Sequence, residues 1–173
     1  MKSSASMPAP PLDAFSPYLS GRNQQLLALA AEIVELLDLC DDADRPERRR
    51  ASDLMWLWTL GAYEVTRTIC QAYECFTPRF LARASVLKCE LEHVRVPNTK
   101  LERVRYDRKE RPVPVSSHRE ADLWDPARRD LRVGDPNRPA SSRDLLAAYV
   151  HTLGALQPGD VLQGHEASFE RRR

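Results

Sequence analysis

The sequence has few glycines and none of the glycine-rich motifs that mark many nucleotide-binding and hydrolytic enzymes. It holds 6 glycines in 173 residues. None of them belongs to a phosphate-binding loop, a dinucleotide-binding fingerprint or a nucleophile elbow. No pair of histidines has the spacing of a zinc-protease helix. We therefore expect no cofactor, no resident metal and no catalytic residue that a motif can identify.

Long apolar runs and an excess of charge of either sign are also missing. The most apolar run ends at Glu64, after roughly half of the about 20 residues that a membrane-spanning helix needs. The net charge of +1 neither favours nor excludes nucleic acid as a partner. The N-terminus does not have the pattern of a secretory signal, and the four cysteines show no framework typical of secreted proteins. We expect a cytoplasmic protein with free thiols and no membrane contact.

The stretch Asp53–Phe76 is the most apolar part of the sequence, and its apolar residues have helical spacing. They form two stripes on a helix, and we expect neighbours to cover the first half of this helix on both sides. The first stripe is Leu54, Leu57, Trp58, Gly61, Val65, Ile69, Ala72 and Phe76, and the second is Trp56, Leu60, Tyr63 and Cys70.

The spacing leaves open whether the same chain or another chain covers this central helix. Core aromatics are common, but aromatic residues are also enriched at the energetic centres of protein interfaces. Trp56 and Tyr63 are therefore the candidate partner-binding residues.

The first two helices are predicted from apolar spacing and from residues that start helices. An N-terminal helix that ends near Cys40 starts at either Ser16 or Ser20. The central helix is predicted over about Glu47–Glu74, with Asp44 as a capping carboxylate and an acid three residues later.

A third helix is predicted from Pro78 to about Val94, where it stops before Pro97. The short break before Pro78 makes the second and third helices an antiparallel hairpin. A final helix is predicted from Ser141 to Gly154, because polar residues at its start can cap it.

The predicted fold is mainly α, with a three-helix core (a helical hairpin plus an N-terminal helix), a small β element and a C-terminal helix. Short strands are expected at Leu101–Tyr106 and Asp130–Val133, with an edge strand near Val113 and Val115. The expected layout is a disordered tail over 1–15, a single domain over 16–157 and a polar tail over 158–173. The domain divides into the core (16–96), a loop and β segment (97–140) and the final helix (141–154).

Two residue patterns have the spacing of a reactive site. Cys70, Cys75, Cys89 and His93 have nearly the spacing of a zinc finger. However, the first two point about 140° apart on one helix, and the third lies roughly 16 Å along the next helix. A common zinc site is therefore not expected. Cys89 and His93 are one turn apart, as a nucleophile and base would be, but no third orienting group is identifiable.

A third pattern has the spacing of a ribonuclease motif. Arg111 and His118 have the spacing found in small helical RNases of the HEPN type. In that family the motif lies at a helix, whereas two prolines separate these residues here and exclude a helix. A small RNase therefore stays an alternative function that rests on spacing alone.

A basic segment over 95–119 supports another alternative, which is nucleic-acid binding. Basic side chains along an exposed strand contact phosphates, but the same charges also protect an edge strand from unwanted pairing. The candidate nucleic-acid-binding residues are Arg103, Arg105, Tyr106, Arg108, Lys109 and Arg111.

The leading prediction is a non-catalytic protein-interaction module or a subunit of a larger assembly. It uses the apolar central helix to bind a protein partner or a second copy. This prediction rests on the two apolar stripes and on the lack of a recognisable catalytic constellation.

Overall fold

The computed structural model describes residues 9–41, 45–99, 122–135 and 137–165. Three long helices dominate them: α1 (Pro17–Asp38), α2 (Pro46–Gln71) and α3 (Pro78–Thr99). Helix α2 packs against α1 on one side and α3 on the other. The predicted mainly α fold with a three-helix core is confirmed.

The starts of α1 and α3 follow the expected capping chemistry. The Ser16 hydroxyl accepts a hydrogen bond from the Leu19 amide at 3.3 Å, so α1 starts at the earlier of its two predicted positions. The Thr77 hydroxyl likewise accepts from the Phe80 amide at 3.3 Å. These bonds satisfy amide groups that have no partner inside the helix.

Helix α2 begins within one residue of its predicted start, whereas α3 ends later than predicted. The N-cap of α2 is Arg45, which makes no side-chain capping bond, and Asp44 lies outside the described residues. Helix α3 continues through Pro97 to Thr99 instead of stopping at Val94. Proline in the last turn removes only one backbone hydrogen bond near the helix end. The Thr99 hydroxyl also donates to the Arg95 carbonyl at 2.7 Å.

A small antiparallel sheet follows, with strands β1 (Leu123–Asp125), β2 (Asp130–Val133) and β3 (Ala140–Ser141) in that order. Strand β2 occurs where it was predicted, whereas β1 and β3 form within a segment expected to be loop. The strands expected at Leu101–Tyr106 and near Val113 lie outside the described residues.

The sheet is fixed to helix α4 (Ser142–Tyr149) by one buried carboxylate, Asp130. The hydroxyls of Ser141 and Ser142 donate to it at 2.5 and 2.6 Å, and the Arg143 amide donates at 3.1 Å. A buried carboxylate needs such donors, because burial without them is costly. Ser141 also caps α4 by accepting from the Asp144 amide at 3.1 Å, as predicted.

Helix α4 and the π-helical turn after it (Val150–Gly154) lie against α1 and α3 and cover the inner side of α2. The rings of Trp58 and Tyr149 meet edge to face with their centroids 5.3 Å apart. The Trp58 indole donates to the Leu26 carbonyl at 3.1 Å, and the Tyr149 phenol donates to Asn23 at 2.9 Å. The polar ends of both buried aromatic side chains are therefore satisfied.

The described residues of the segments 1–15 and 158–173, where tails were expected, make contacts with the rest of the fold. Leu12 and Phe15 are buried in a short 3-10 turn and its cap. Residues 158–165 pack beside the α2–α3 turn. There the Leu162 amide donates to the Cys75 carbonyl at 2.8 Å, and the His165 amide donates to the Phe15 carbonyl at 2.9 Å.

Candidate interaction surface

Helix α2 has an inner face inside the core and an outer face in contact with solvent. Met55, Trp58 and Ala62 on the inner face are fully buried. On the outer face, Trp56 is 42% exposed and Leu57 is 52% exposed. The expectation that both sides of this half of the helix are covered is therefore wrong at Trp56 and Leu57.

Tyr63 and Trp56 were both candidate partner-binding residues, but they differ in exposure to solvent. The two side chains lie seven residues apart and so share a helical face. However, Tyr63 is only 6% exposed, and the guanidinium of Arg95 on α3 lies 4.4 Å from its ring centroid. Tyr63 thus belongs to the α2–α3 contact, and only Trp56 is available at the surface.

A shallow groove runs between α1 and α2 beside this outer face, with a volume of about 410 Å³. Gly61 permits the two helices to approach closely, because a Cβ atom at that position would come within 2.9 Å of Leu26 Cδ2. Leu57 precedes Gly61 by one turn, so it lies on the same side of α2 as the groove. The groove is lined by Tyr18, Leu19, Arg22, Gln25, Leu26, Leu29, Gly61, Glu64, Val65 and Thr68.

Two opposite charges lie on the outer face at equal distances from Leu57. Arg50 is seven residues before it and Glu64 is seven residues after it. At 1.5 Å per residue, each charge is about 10.5 Å from Leu57 along the helix. This arrangement was overlooked in the sequence, although the seven-residue spacing is readable there.

Both charges already have partners within the chain. Arg50 approaches Glu32 at 3.8 Å, and both side chains are at least half exposed. Glu64 contacts Arg67 at 2.6 Å and Arg95 at 3.9 Å. An exposed ion pair such as Arg50–Glu32 contributes at most about 1 kcal/mol, so another acid can replace Glu32 as the partner of Arg50.

A second cavity, of about 310 Å³, lies between α3, β2 and α4. Two carboxylates of its lining are used within the fold: Asp144 pairs with Arg128 at 3.0 Å, and Asp135 accepts from the Asn137 amide at 2.9 Å. Ser141 also lines it, but its hydroxyl donates to Asp130. The same hydroxyl accepts from the Asp144 amide at 3.1 Å, so its hydrogen bonds join the sheet to the start of α4.

The thiols and His93 do not gather into a metal site in the described part of the chain. No group of three or more His, Cys, Asp or Glu side chains there is placed to hold a metal ion. Cys75 is buried and Cys89 is exposed. The Cys70 sulfur lies 3.8 Å from the Ser85 hydroxyl, and burial raises the pKa of the Cys70 thiol. A raised pKa disfavours the thiolate, which is the nucleophilic form.

The candidate residues for nucleic-acid binding and for RNase activity lie outside the described ranges. They are Arg103, Arg105, Tyr106, Arg108, Lys109 and Arg111 of the basic segment, and Arg111 with His118 of the RNase spacing. Arg95 is the described base of that segment, and its guanidinium contacts Tyr63 and Glu64.

None of the described helices is both long enough and apolar enough to cross a membrane. The chain matches no protein-family model, no curated protein and no solved structure.

Proposed function

We propose that this chain is a non-catalytic protein-interaction module that binds its partner through the outer face of α2. The observation that carries the proposal is the adjacent pair Trp56 and Leu57, both well exposed on a helix whose opposite face is fully buried. A single exposed leucine is ordinary on a protein surface. A tryptophan, a leucine and an apolar groove in continuity provide the kind of anchor on which binding energy concentrates.

The use of the buried polar groups supports a non-catalytic function. Asp130 accepts three hydrogen bonds that hold the sheet to α4. The Tyr149 phenol is bonded to Asn23, and burial raises the pKa of Tyr149 above its ordinary value. A catalytic acid or base is instead tuned toward the working pH and faces a site that substrate can reach.

The free thiols favour a reducing compartment, and we place the module in the cytoplasm on that ground. All four cysteines are unpaired, and cytoplasmic thiols stay reduced.

The direct test is photo-crosslinking from the outer face in the cells that make the protein. A benzophenone amino acid at position 57 should give one discrete adduct with a protein partner. The matched control is position 86, because Val86 is also an exposed apolar residue but lies on α3. Equal labelling from both positions, or no adduct from position 57, would overturn the proposal.

A further inference from the structure

We infer that the partner on the outer face of α2 is a second copy of this chain, paired antiparallel about Leu57. This inference rests on the proposed function and adds the identity of the partner and the orientation of the pair. It is carried by the charge pattern of the outer face, where Arg50 and Glu64 flank the exposed Leu57 at equal distances.

The charge pattern is complementary to itself when one helix is reversed. In an antiparallel pair with Leu57 at the two-fold axis, Arg50 of each copy lies opposite Glu64 of the other. A parallel pair would instead place Arg50 opposite Arg50 and Glu64 opposite Glu64, which is repulsive. Electrostatic complementarity of this kind sets the register and orientation of an interface.

The apolar centre fits the same symmetry. A two-fold axis through Leu57 brings the two Leu57 side chains together and places both Trp56 side chains on one flank of the interface. In such an isologous contact the same patch is used twice, so one modest patch supplies a doubled apolar area. The exposed surfaces of Trp56 and Leu57 provide the apolar area that such a contact would bury.

The ion pairs within the chain do not oppose this pairing. Arg50 would exchange Glu32, now 3.8 Å away, for Glu64 of the second copy. Arg67 and Arg95 can keep contact with Glu64 from the side, because a carboxylate accepts several donors.

Charge reversal tests the inference by sedimentation equilibrium. Arg50→Glu places acids opposite Glu64, and Glu64→Arg places bases opposite Arg50, so each variant should dimerise at least about tenfold more weakly than wild type. Mixed together, the two variants should form a heterodimer, because every opposed pair is then attractive. The double variant Arg50→Glu/Glu64→Arg should regain the homodimer, which provides a readout if one single variant fails to fold.

Lys88→Glu is the matched control, since Lys88 lies on α3 in a comparable ion pair with Glu92 at 3.4 Å. It should leave the dimer unchanged. A monomeric wild type at its highest soluble concentration overturns self-pairing, and failure of both the mixture and the double variant overturns the antiparallel register. An adduct at position 57 with a different protein would reject self-pairing and leave the interaction module standing, whereas no adduct would reject the module itself.

Discussion

Trp56 and Trp58 are two residues apart on α2 and have opposite environments. Trp58 is fully buried, donates a hydrogen bond to the Leu26 carbonyl and meets the ring of Tyr149. Trp56 is 42% exposed on the outer face. A step of two residues turns a helix by about 200°, so the same side chain stabilises the fold at one position and is available to a partner at the other.

Among substitutions on these two faces of α2, Trp58→Ala should reduce stability most. It removes a fully buried indole and leaves a cavity in the core, so the free energy of unfolding should fall by about 3–5 kcal/mol. Urea denaturation followed by circular dichroism measures the change. A loss below about 1 kcal/mol would contradict the assignment of Trp58 to the core.

The next effect concerns the residue that covers Trp58. Tyr149→Phe keeps the ring but leaves the buried side-chain oxygen Oδ1 of Asn23 without its donor. The unfolding free energy should fall by about 1–2 kcal/mol. Because the ring contact with Trp58 remains, the near-ultraviolet circular dichroism should change little. The double variant Tyr149→Phe/Asn23→Ala tests the coupling, and additive losses from the two changes would contradict it.

Tyr149 also predicts how stability responds to alkali. Burial raises its pKa in the folded protein above the value of about 10 in the unfolded chain. Above that pH the folded state binds more protons than the unfolded state, so stability should fall as pH rises, by about 1.4 kcal/mol per pH unit at most for this group. Urea titrations from pH 9 to about 11 measure the slope. Tyr149→Phe should have a smaller slope than wild type, and an equal slope would reject this role for Tyr149.

The smallest effect on stability is expected on the outer face. Leu57→Ala removes a side chain that is 52% exposed and introduces a good helix former, so unfolding free energy should change by less than about 0.5 kcal/mol. Trp56→Ala should cost less than about 1 kcal/mol. Both variants should weaken self-association while keeping the helical circular dichroism. If either variant lost as much unfolding free energy as Trp58→Ala, the outer face would contribute to stability as the inner face does, which contradicts this assignment.

The sequence predicted the helices better than it predicted which sides of them are covered. Helix starts at Ser16 and Ser141 depend on a hydroxyl that bonds an amide three residues later, which is local and readable. Leu57 and Tyr63 were assigned by spacing alone, but α3 covers Tyr63 through Arg95 and leaves Leu57 exposed. Exposure depends on the neighbouring helix, so it cannot be read from the sequence of one helix alone.

The sheet illustrates the same limit. Strand β2 was predicted from its own residues, whereas β1 and β3 have three and two residues and are too short to show a period. They exist because β2 pairs with both and because Asp130 bonds Ser141 and Ser142 across the turn to α4. Such pairing is a property of the folded chain, not of either segment alone.

The contacts of Phe15 with residues far along the chain have a consequence for synthesis on the ribosome. Phe15 packs on Phe76 with ring centroids 4.7 Å apart and meets the ring of His165 at 5.2 Å. The last of these three residues is translated about 150 positions after the first. A nascent chain that has released residues 15–154 therefore lacks the contact between Phe15 and His165, which forms only after residue 165 has left the ribosome.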